Sequence, residues 1–143
     1  MICECAFCTF PNKEAAAAEI SRVLRPGGGV GLSDVTRQGP LPPELETMLA
    51  WVACIADARP IEEYVETLEE TGLAIQHIES HPQALTDMVR KAYTRLLSVE
   101  ALRKLGELDL PPDIDIERAK TIAQATLQAV QENRLSYSVL VWR

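Results

Sequence analysis

Four cysteines, Cys3, Cys5, Cys8 and Cys54, are the residues of this chain best suited to chemistry. A thiolate is both a nucleophile and a soft ligand, and a buried thiol packs like a small hydrophobe, so free thiols, metal ligands and core positions are all open to them. Cys3, Cys5 and Cys8 crowd together at the start of the sequence, which argues against an ordered disulfide framework. Their run is apolar and is expected to lie in a strand rather than on a knuckle turn, so no zinc site is expected. Asp34 is the next candidate. It is expected near the C-terminal end of a strand, where ligands collect in open α/β sheets, so it is a pocket-lining candidate; a solvated loop end is the competing role. His77 and His81 have no partner in view and read as surface or capping residues. Trp51, just before Cys54, reads as core.

The length is that of one domain, so these side chains are expected to sit in a single unit over residues 1–143. Hydrophobic residues make up 47% and charged residues 24%, the balance of a globular protein. No apolar run approaches the roughly 20 residues that cross a bilayer, and no basic-then-apolar leader is present, so a cytoplasmic protein without a membrane partner is expected. The net charge of −7 and the dispersed basic residues argue against a nucleic-acid partner. Glu62, Glu63, Glu66, Glu69 and Glu70 read as a solvated helix face.

The elements follow from periodicity and punctuation. Met1 to Phe10 is apolar and cysteine-rich apart from Glu4 and Thr9, as in a strand buried on both faces. Asn12 is a plausible N-cap for a helix from Lys13 to about Leu24, with Ala16, Ile20, Val23 and Leu24 inward. Gly27-Gly28-Gly29 follows that helix and precedes a strand, Val30 to Val35, so it is a turn; phosphate-cradling loops have the opposite order. Strand, helix and strand make a right-handed parallel βαβ unit. A loop over Gln38–Pro43 precedes a helix over Glu44–Ala56. Another helix starts at Pro60, buries Ile61, Tyr64, Val65 and Leu68, and stops at Gly72. A strand over Leu73–Ile78, a long helix over Gln83–Leu105, an interruption at Pro111-Pro112, a helix over Ile116–Asn133 and a strand over Ser136–Trp142 complete the chain.

Phe10-Pro11-Asn12-Lys13, the alanine-rich helix, Arg22-Val23-Leu24-Arg25-Pro26-Gly27-Gly28 and the strand after it form an ordered block. It resembles the fourth strand, fourth helix and fifth strand of class I S-adenosylmethionine-dependent methyltransferases. The resemblance runs through Gly72-Leu73 to the C-terminus. It implies a partial Rossmann-like α/β sheet in the order 4-5-7-6, with the last strand antiparallel and helices flanking. The match is closest to the arsenite methyltransferase branch. Cys5, within Cys3-Glu4-Cys5-Ala6-Phe7-Cys8-Thr9-Phe10-Pro11-Asn12-Lys13, falls on that branch's metalloid-binding cysteine. Cys54, within Cys54-Ile55-Ala56-Asp57-Ala58-Arg59-Pro60-Ile61-Glu62-Glu63, falls on a second one. Ala56-Asp57 replaces the branch's glycine pair, and Cys3 and Cys8 replace Ser and Asn. The resemblance thus implies Cys5 and Cys54 as thiolate ligands of a soft metalloid, with Cys8 as a third, because soft centres prefer sulfur.

It also implies S-adenosylmethionine as cofactor, held in that family by a glycine-rich turn after the first strand. No such segment occurs in these 143 residues; the resemblance is to a C-terminal half without the cofactor-binding half, which is not expected to bind cofactor alone. Three functions stay open: an inactive oligomeric relic, an enzyme completed by a second copy or a separate half, and a thiol-based soft-metal or metalloid binding module. The apolar strand over residues 1–10 would be an aggregation-prone edge, so a homo-oligomer covering it is expected.

Overall fold

The computed structural model describes residues 1–52, 54–109, 111 and 114–143, without the side chains of Trp51 and Val52. The expectation for Trp51, and part of those for the Glu44–Ala56 helix and for Pro112, lie outside the described residues. Four strands form one sheet in the order β1-β2-β4-β3: β1 Ile2–Glu4, β2 Val30–Arg37, β3 Ile75–Ser80 and β4 Leu135–Trp142. β1 and β2 are parallel, whereas β4 runs antiparallel to both β2 and β3. The strand order is the one expected.

Between the strands lie α1 Lys13–Val23, a short α2 Met48–Val52, α3 Ile61–Glu69, α4 Pro82–Lys104 and α5 Ile116–Gln131. Asn12 caps α1 as anticipated, its Oδ1 accepting from the Ala15 amide at 2.7 Å. α1 buries Ala17 and Ile20, while Val23, expected inside, is 55% exposed because the chain turns extended at Leu24. Gly27 takes a left-handed φ of 72° in the turn that follows. Gly29 has a steric reason to be glycine: a Cβ there would stand 2.6 Å from the Trp142 carbonyl oxygen.

Side chains of β2 and β4 alternate between two cores. Val30, Leu32, Leu140 and Trp142 face Phe7, Ala17, Ile20, Tyr64 and Leu68, from the first turn, α1 and α3. Val35 and Leu135 face Leu85, Val89, Ile122 and Val130, from α4 and α5. The sheet is therefore covered by helices on both faces.

Two segments depart from expectation. Residues 1–10 are not one doubly buried strand. β1 stops at Glu4, Ile2 is 81% exposed, and Phe7–Thr9 form a 3₁₀ turn that buries Phe7 and Cys8. The apolar character of this segment reflects a strand followed by a buried turn, two states that periodicity does not separate. The expected single helix over 44–56 is likewise a 3₁₀ turn at Pro43–Leu45 and the short α2, with turns to Ala58.

Glu100 joins the end of α4 to the start of α5, bonding Lys104 at 2.5 Å and Lys120 at 2.7 Å. Those two ammonium groups, Lys104 foremost, hold its carboxyl down at about 2. A carboxylate with a lowered folded pKa contributes stability that is fully present above its ordinary 4.5 and is lost as pH falls toward 2. Urea midpoints of the wild type should fall across that window, and part of this slope should vanish in Glu100→Gln; superimposable pH profiles would disprove the assignment.

Candidate functional site

The first turn and the loop after α2 bring three of the four cysteines together. Cys5 is the residue after β1; its amide still bonds Ser33 O at 2.8 Å, but its φ of 45° is left-handed. It therefore lies just beyond the end of β1 and not within the strand. Cys54 also has a left-handed φ, 63°, and its Sγ donates to the Cys5 carbonyl at 3.1 Å. A non-glycine residue in this region carries strain that the surroundings must hold in place. Cys5 Sγ in turn lies 3.5 Å from the Tyr137 hydroxyl, which donates to Ser33 Oγ at 2.9 Å. Burial is the main reason the Tyr137 phenol is pushed up to about 12.

Cys8 lies at the centre of the 3₁₀ turn, fully buried. Its amide donates to Asp34 Oδ2 at 2.7 Å, and the Val35 amide donates to Asp34 Oδ1 at 2.9 Å. Asp34 is neither near the end of its strand nor at a solvated loop. It sits mid-strand with no exposed surface. Sequence position misled here because β2 continues three residues beyond Asp34 and the 3₁₀ turn closes over it. Burial raises the Asp34 carboxyl, opposed by the hydrogen bonds from Cys8 and Val35. Burial likewise pushes up the thiols of Cys8 and Cys54, with the Asp34 charge adding to it. The donor atoms of Cys8, Asp34 and Cys54 all lie within 4.8 Å of one another. Cys3 remains on β1, half-buried against the Phe7–Trp142 core, in the place of a small hydrophobe.

Sequence reading passed over the residues that lock this arrangement. Lys13 Nζ donates to Cys8 O at 3.0 Å, to Phe10 O at 3.2 Å and to Asp57 Oδ2 at 2.5 Å. Arg59 holds the other Asp57 oxygen at 3.0 Å. The turn bearing Cys8 is thus tied to the loop bearing Cys54 by one ammonium. Opposite charges distant in sequence give no local signal of pairing. A cleft of about 140 Å³ beside this bridge is lined by Phe7, Lys13, Asp57, Arg59 and Tyr64. His77 and His81 are away from these groups, both next to Glu79 at 3.4 and 3.5 Å.

No family model matches the sequence. An arsenite methyltransferase of Halobacterium salinarum is 32% identical over 73 residues, which are 50% of this chain and 19% of that protein. Among solved structures, a candidate sarcosine dimethylglycine methyltransferase from Galdieria sulphuraria superposes with a TM-score of 0.78 at 18% identity, covering 99% of this chain and 51% of its own. A cyclopropane synthase of Mycobacterium tuberculosis gives 0.74 at 17%, covering 99% and 53%. The phosphoethanolamine N-methyltransferase 2 of Haemonchus contortus, solved with S-adenosylhomocysteine, gives 0.72 at 13%, covering 99% and 32%.

The chain has the α/β fold of class I S-adenosylmethionine-dependent methyltransferases, over part of its extent. It spans about half the length of the first of these structures and a fifth of the curated relative. Structural neighbours bind S-adenosylmethionine or S-adenosylhomocysteine. The Gly27–Gly29 turn follows a helix and precedes a strand, and Gly29 is taken up by its close approach to the Trp142 backbone.

Proposed function

We propose that this chain is the substrate-side portion of an arsenite methyltransferase-like protein, with Cys5 and Cys54 presenting thiolates to a soft metalloid. The observation that carries this is the 3.1 Å contact of Cys54 Sγ with the Cys5 carbonyl, closed across 49 residues. Both residues hold left-handed backbone that only a strong surrounding constraint maintains. The likeness to the Halobacterium protein supports the same substrate class. In this reading the methyl donor is bound outside the residues described here, and this chain alone does not turn over. A second copy covers the open edge of β1, where Ile2 stands exposed.

The test is calorimetric titration of arsenite into the reduced chain. Saturable binding is expected, weakened at least about tenfold by Cys5→Ser and by Cys54→Ser, about 1.4 kcal/mol each. Arsenite binding that is indifferent to both substitutions would end the thiol reading. Titrated with S-adenosylmethionine, the isolated chain should give no saturable heat; a clear isotherm would overturn the assignment of the donor site elsewhere. Sedimentation should show a dimer, and a monomer at high concentration would remove the second copy.

A further inference from the structure

Asp34 and Cys8 are not used by the Cys5–Cys54 reading, yet both are fully buried beside it. The two backbone amides hold the Asp34 carboxylate in one orientation and leave a lone pair on each oxygen. The neighbouring cation, Lys13, is committed to two carbonyls and Asp57. A buried carboxylate without a directly bonded cation is costly, and a carboxylate facing two thiols is a ligand set.

We propose that Cys8, Asp34 and Cys54 bind one Zn²⁺ through two thiolates and a carboxylate oxygen. The three donor atoms lie within 4.8 Å of one another, and closing onto Zn–S bonds of about 2.3 Å and Zn–O bonds of about 2.0–2.2 Å needs a modest contraction. Cys54 is the partly exposed member and therefore the entry side. Two thiols and one carboxylate bind Zn²⁺ by forming two Zn–S bonds and one Zn–O bond, and both thiol protons leave to solvent. The site carries one negative charge before and after, so binding adds no net charge to the interior. The ionisation that burial and Asp34 oppose in both thiols is then offset by the cation itself. The donor set selects the ion: arsenic(III) favours sulfur throughout and magnesium favours oxygen throughout, whereas zinc accepts both. Because Cys54 belongs to both sets, Zn²⁺ and arsenite should compete.

The experiment is titration of the reduced, metal-free chain with Co²⁺, read by thiolate-to-cobalt charge-transfer absorption, followed by displacement with Zn²⁺. One equivalent should saturate the signal, and calorimetry in buffers of different ionisation enthalpy should count two protons released per Zn²⁺. Cys54→Ser and Cys8→Ser should weaken binding about 100-fold, the upper range for disturbing a metal site. Cys5→Ser should weaken Co²⁺ binding far less than either ligand variant while losing arsenite, which separates failure of this site from failure of the metalloid pair. Asp34→Asn, if folded by circular dichroism, should match the cysteine variants. Absence of a stoichiometric absorption band, or equal weakening by Cys5→Ser and Cys54→Ser, would overturn the proposal. So would retained binding in Cys54→Ser, whose partly exposed position makes that variant independent of any folding defect at Asp34.

Discussion

Trp142→Ala is expected to cost about 3–5 kcal/mol, a large share of the roughly 5–15 kcal/mol that holds a domain of this size together. Trp142 is completely buried and is the largest such side chain described. In the sheet it stands between Val30 of β2 and Ile75 of β3, so its loss opens a cavity under both neighbours at once. Its indole Nε1 is buried with no hydrogen-bond partner among the described residues. Trp142→Phe removes that unpaired donor while keeping most of the apolar area, and should cost less than half as much as the alanine variant. Urea denaturation of the two variants is the check. Equal losses would mean that the indole's polar end contributes to the fold after all.

Asp34→Ala carries the second large effect, about 3–5 kcal/mol. It leaves the Cys8 and Val35 amides buried without an acceptor, at about 1–3 kcal/mol for each. The damage should be directional. Amide exchange should accelerate most in the Phe7–Thr9 turn, because the Cys8 amide bond to Asp34 is what fastens that turn to β2. Asp34→Asn keeps one carbonyl oxygen for one amide and should lose about half as much. A change below about 1 kcal/mol for the alanine variant, in chemical denaturation, would show that the turn is held by the packing of Phe7 and not by this carboxylate.

Local signals were enough for much of this architecture. Asn12 at the head of α1, Pro60 before α3 and Gly72 with its φ of 88° each mark a boundary through chemistry that acts within a few residues. The sheet order came from resemblance to a known family, since nothing in periodicity alone places β4 between β2 and β3. The candidate site was legible only as a set of residue types. Cys5 and Cys54 could be named, but the positive φ at each depends on tertiary constraints. Asp34 looked like a strand-end ligand because its burial is imposed by a turn 26 residues away. Lys13 and Asp57 were invisible for the same reason: an ion pair across 44 residues has no local pattern. The buried turn at Phe7–Thr9 was mistaken for strand because apolarity reports burial and not backbone conformation.

The left-handed backbone at Cys5 and Cys54 sets stability against reactivity at two defined points. Glycine would relieve strain at both, by about 1 kcal/mol at each. Selection for thermal resistance alone would therefore drift toward glycine there, and in doing so would delete the pair of sulfur atoms. A variant library screened only for folding should be sequenced at these two positions before its members are scored for ligand binding.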